Sequence, residues 1–98
     1  MKDTPENRVK KSIEDALRAD GWFVQYNPQY GPFVVKGRPD MEAYRDGKVL
    51  LIEVKSATGK QSQDQKKYQL RVQRYAPYIL ARSVEDIKPY LVRLQSLF

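Results

Sequence analysis

Three residues near the middle of the chain have the types and spacing to do chemistry together. Asp40, Glu53 and Lys55 bracket the segment PDMEAYRDGKVLLIEVK, residues 39–55, which reads as a β-hairpin. Asp46-Gly47 between two strand-like runs is the turn signal. With a two-residue turn, Arg45 pairs with Lys48, Tyr44 with Val49 and Met41 with Ile52, so Asp40 falls opposite Glu53. Opposed residues share a face, with Cβ atoms about 4.5–5.5 Å apart. Lys55 joins them because side chains alternate with period two. A bulged turn would shift the register by one and leave the three groups diagonal to each other.

The run Val49-Leu50-Leu51-Ile52 has buried character, and charges at its end are costly unless paired or bound to an ion. Two facing carboxylates also repel. Two outcomes are open: Lys55 neutralises both acids in a surface charge cluster, or the acids hold a divalent cation with Lys55 beside it. The chain has no Cys and no His. That excludes a Cys- or His-ligated zinc site and any Ser-His or Cys-His nucleophile. A metal here must take oxygen ligands, which suits Mg²⁺, Mn²⁺ or Ca²⁺.

The elements that must position these groups are legible around them. Thr4-Pro5-Glu6 has the cap, N1 proline and first-turn acid of a helix start. Val9, Ile13 and Leu17, with Ala16, form its apolar stripe, and Gly21 ends it. Trp22–Tyr26 is aromatic and β-branched, hence a strand. Residues 27–38 are a loop with two Pro and two Gly, with a brief strand expected at Phe33–Val35. After the hairpin, SATGKQ is a loop and Ser62 starts a helix running to about Tyr75. Ala76-Pro77 breaks it, and Tyr78–Ala81 is a fourth strand. Ser83 caps a final helix whose Val84, Ile87, Leu91, Leu94 and Phe98 share a face, kinked or restarted at Pro89. The order is α-β-β-β-α-β-α, an α/β fold.

The 98 residues form one domain, 41% hydrophobic and 31% charged. A net charge of +6 meets the electrostatic precondition for a polyanionic partner. No run approaches the ~18 apolar residues of a membrane span, and MKDTPENRVKK lacks the apolar segment of a signal peptide. The expected location is the cytoplasm, with neither secretion nor a membrane partner.

Pro39-Asp40 followed by Glu53-Val54-Lys55 resembles the PD-(D/E)XK nuclease motif. With Gly37-Arg38 before it, the hairpin within it and Ser62-x-x-Gln65 after it, the pattern resembles the virus-type replication-repair nuclease (VRR-NUC) family. The likeness runs from about Glu6 to Leu91. It implies a restriction-endonuclease-like core, a mixed central sheet flanked by helices. It implies that Asp40, Glu53 and the backbone carbonyl of Val54 ligate Mg²⁺, with Mn²⁺ as a substitute. Glu6 supports the metal, Glu14 being the competing candidate. Lys55 activates the attacking water, and Gln65 reaches toward the site. Gln65 also completes a capping box with Ser62, and one side chain cannot serve both. Gly37 permits close approach of substrate or simply makes a turn.

The resemblance further implies a structure-selective DNA endonuclease of Holliday-junction-resolvase type. It would be a small phage-encoded homodimer acting on branched DNA in the host cytoplasm. Nearest alternatives are a nuclease for single strands or ends, and a non-catalytic basic nucleic-acid-binding module. Arg38, Lys60, Lys67, Arg71 and Arg74 are the expected DNA contacts, the last three at i, i+4 and i+7. Tyr30, Phe33 and Lys36 add aromatic and cationic groups, with core packing the other role for Phe33. Val84, Ile87, Leu91, Leu94, Leu97 and Phe98 offer an apolar surface for a dimer. Tyr75-Ala76-Pro77 stands where many relatives carry a Gly before the fourth strand, and Gln65-Lys66-Lys67-Tyr68 lacks the wider Gln-to-Tyr spacing of the related RecB-like nucleases. Both departures concern subgroup and substrate contacts more than chemistry.

Overall fold

The first helix, α1 (Pro5–Ala19), begins where its cap chemistry dictates: the Thr4 hydroxyl accepts the Asn7 N–H at 3.1 Å, and proline fills the first turn. It ends as Gly21 N–H donates to the Arg18 carbonyl and Trp22 N–H to that of Leu17, the paired bonds of a Schellman closure. Ile13 and Leu17 are buried, with Val9 and Ala16 packed against the core beside them. The computed structural model describes residues 2–92.

Four strands follow: β1 (Phe23–Tyr26), β2 (Met41–Arg45), β3 (Lys48–Val54) and, after helix α2 (Gln63–Val72), β4 (Tyr78–Ala81). They form one mixed sheet in the order β1-β2-β3-β4, antiparallel except for the parallel pair β3–β4. A parallel neighbour requires a crossover, which the segment carrying α2 supplies. The hairpin register is the one expected, Arg45 with Lys48, Tyr44 with Val49 and Met41 with Ile52. Asp46 and Gly47 both have positive φ, 49° and 78°, the two-residue turn that matches strand twist and leaves no bulge. The core joins Met41, Ala43, Leu50, Ile52, Val54, Ile79 and Ala81 from the sheet to Ile13 and Leu17 of α1. Among the described residues, no helix is long and apolar enough to cross a membrane.

Three elements depart from expectation. Residues 33–35 are turn and irregular chain, with Phe33 84% exposed; no core position receives that ring. Helix α2 stops at Val72 instead of about Tyr75, because Ala76 precedes a proline and the chain must already be extending. Arg74 therefore lies past the helix, and the expected three-residue basic row shrinks to Lys67 and Arg71. The final helix is replaced, within the described residues, by two single 3₁₀ turns, Val84–Asp86 and Lys88–Tyr90. Ser83 makes no side-chain cap bond, and Pro89 restarts the chain in a first turn, where its missing N–H costs nothing. Ile87 and Leu91 are buried in the chain's own core, with Val84 packed against it. That part of the expected dimer surface is thus already covered, while Leu94, Leu97 and Phe98 lie outside the described residues.

Candidate active site

Asp40 and Glu53 are both buried, at 6% and 2% exposure. Strand β2 begins at Met41, and just before it the Asp40 side chain takes over the ladder: its Oδ2 accepts the Val54 N–H at 2.7 Å. The other oxygen, Oδ1, lies 3.1 Å from Lys10 Nζ of α1, which is also 3.7 Å from Glu6 Oε2. On the far side of the pair, Lys55 Nζ lies 4.0 Å from Glu53 Oε1. Glu53 Oε2 is buried with no hydrogen-bond partner among the described residues. The expected convergence of Asp40, Glu53 and Lys55 is therefore present, with Glu6 joined to it through Lys10.

The electrostatics follow from this crowding. Burial, and then the neighbouring Asp40 carboxyl, push Glu53 up to about 9, against the pull of Lys55 and Lys10. The Tyr78 hydroxyl on β4 is also buried, and burial, then the Glu53 carboxylate, raise it above its ordinary value. A hard-oxygen pair with one orphaned oxygen and too little positive charge fits a divalent cation of the Mg²⁺ class. Among the described residues, however, no three or more acids gather in ligating geometry. The charge between Glu6 and Asp40 is the Lys10 ammonium.

The remaining expected site residues divide into those the fold has engaged and those it leaves outward. Val54 is fully buried at the end of β3. Glu14 accepts bonds from Arg18 at 2.9 Å and Tyr26 at 2.8 Å; burial works against its charge, but these bonds hold it below the usual carboxylate range. Glu6, not Glu14, thus connects to Asp40. Gln65 is taken up by the capping box, its Oε1 accepting the Ser62 N–H at 2.8 Å while Ser62 Oγ accepts its own N–H at 3.2 Å. The reach toward the site expected of Gln65 is replaced by helix initiation. Arg38 is paired with the buried Glu42 at 3.1 Å. Lys60, Lys67 and Arg71 are exposed, and Arg74 lies 5.4 Å over the Tyr75 ring.

Gly37 has φ +81°, and a Cβ there would sit 2.1 Å from the Asp64 carbonyl oxygen. The backbone that approaches it here is the chain's own, in the first turn of α2.

Two residues escaped sequence reasoning. Lys10 precedes Ile13 by three and Leu17 by seven, so it lies on the buried stripe of α1, where an amine demands a counter-charge. Arg82 gave no signal: its Nη1 donates to the carbonyls of Ser56 at 2.5 Å and Gly59 at 2.7 Å, clasping the loop that follows Lys55. No family model, curated protein or solved structure matches this chain.

Proposed function

We propose that this chain is a Mg²⁺-dependent deoxyribonuclease of the VRR-NUC kind, on a restriction-endonuclease-like core, hydrolysing phosphodiesters in branched DNA. The observation that carries the reading is the buried Asp40–Glu53 pair, with its orphaned Glu53 Oε2 and Lys55 beside it. Asp40 and Glu53 would hold the cation, with Val54 and Glu6 in support. Bound there, Mg²⁺ supplies Lewis-acid polarisation of the phosphodiester and lowers the pKa of bound water. The Val54 N–H fixes the Asp40 carboxylate in advance, and Lys10 keeps it neutralised in the resting site. Lys55, whose amine lies 4.0 Å from Glu53 Oε1, orients the attacking water and offsets charge developing on the phosphate. Homodimerisation and a taste for four-way junctions belong to the same reading, with single strands or ends as its nearest variant.

A second reading is favoured by the Glu6–Lys10–Asp40 contacts: a basic binding module whose acids are neutralised by its own amines. Labelled four-way, flap and linear DNA, incubated with Mg²⁺, Mn²⁺ or EDTA, separates the two. Cutting is expected with either metal and not with EDTA. Asp40→Asn and Glu53→Gln should lose it while still binding DNA, since each removes ligand charge with little change of shape. If no substrate is cut in either metal, the binding module stands instead.

A further inference from the structure

The 27–40 loop leaves its largest apolar side chains in solvent. Tyr30 is 92% exposed, Phe33 84% and Val35 48%. Its base, by contrast, is tightly made. Asn27 N–H donates to the Asp40 carbonyl at 2.9 Å, and Asn27 Nδ2 to that of Pro39 at 2.7 Å, which closes the loop at its neck. Gly37 packs directly on the backbone of Asp64 in the first turn of α2. The loop also supplies Lys36 to a shallow cleft of about 450 Å³, whose other walls are Asp64, Lys67, Leu70 and Arg71. Leu70 is itself 69% exposed. Aromatic rings held out on an anchored loop, which also lends Lys36 to a cleft of three cations and one acid in a chain of net charge +6, ask for a partner that is both flat and anionic.

We infer that this surface binds single-stranded DNA, with unpaired bases stacked on Tyr30 and Phe33 and phosphates tracking Lys36, Lys67 and Arg71. Duplex DNA keeps its base faces stacked inside and cannot use the rings, whereas every unpaired base has a face to offer. The loop ends on Asp40, which ties this surface through the chain itself to the acid pair. The inference rests on the nuclease reading in taking the strand as DNA and in giving the substrate unpaired bases beside the cut.

The test is binding of a fluorescein-labelled dT₁₂ strand, a blunt 12-base-pair duplex and rU₁₂ to the full chain in EDTA, where nothing is cut. Tyr30→Ala and Phe33→Ala alter exposed side chains, so both variants should fold. Each is expected to weaken dT₁₂ binding about tenfold and to leave the duplex unchanged. Lys67→Ala and Arg71→Ala should each flatten the salt dependence of dT₁₂ binding by about 0.7 in log–log slope. Unchanged dT₁₂ affinity, equal losses for strand and duplex, tighter binding of rU₁₂ than dT₁₂, or a fall in solution mass on Phe33→Ala would each overturn it. A protein that never cuts yet loses dT₁₂ binding on Phe33→Ala keeps this surface and discards the nuclease.

Discussion

At the scale of single residues, the acid pair has a pH signature whose sign is fixed. Glu53 binds its proton up to about 9 in the folded chain but only to the ordinary carboxylate range when unfolded. Between those limits the folded state holds more protons, so stability falls as pH rises. In EDTA, melting temperature should therefore drop from pH 5 to pH 9, and the drop should be shallower in Glu53→Gln; parallel slopes would show that Glu53 ionises normally. Lys10→Met should lower metal-free stability by about 3 kcal/mol, because Asp40 is left buried without its amine. By removing a competing cation it should also tighten Mn²⁺ binding in calorimetry. Weaker binding would instead make Lys10 a support of the metal-loaded site. The acids and Lys55 were legible because hairpin register is simple arithmetic on a two-residue turn. Lys10 was not, because its partner lies across a tertiary contact between α1 and the segment before β2.

At the scale of elements, what the chain announces locally it also builds. Caps, turn residues and period placed α1, the hairpin, the start of α2 and β4, all of which rest on neighbours within a few positions. The C-terminal turns went otherwise, since apolar residues there satisfy either a helix face or a core pocket and sequence period alone does not choose; the 33–35 stretch has strand-forming residues but stays in solvent as irregular chain. The Gly37–α2 contact gives an element-level prediction. Gly37→Ala must strain a left-handed backbone and displace Asp64, at a cost of about 2 kcal/mol. That corresponds to a loss of roughly 10 °C in melting temperature, measurable by calorimetry. Arg82→Ala should leave global stability nearly intact while speeding hydrogen exchange in the 56–59 loop, whose Ser56 and Gly59 carbonyls it clasps. Exchange there unchanged from the parent would mean the loop holds itself.

At the scale of the whole molecule, buried Ile87 and Leu91 decide an argument about assembly. Of the apolar face that looked spare, Ile87 and Leu91 are spent on the chain's own core, so neither is available to self-association. Expected instead is that solution mass is unaffected by Ile87→Val, which should cost about 1 kcal/mol of stability and nothing in association. Gly37 and Asn27 split the 27–40 segment into a fixed stem, leading to the Asp40 carboxylate, and an outward crown between them that touches no other element closely at Gly31. If the crown grips single-stranded DNA as proposed, grafting a different crown onto that stem should exchange what is gripped and leave the acid pair where it is. On that reading preference, set by the crown, and reactivity, set by the Asp40–Glu53 pair beyond its stem, would be open to independent engineering.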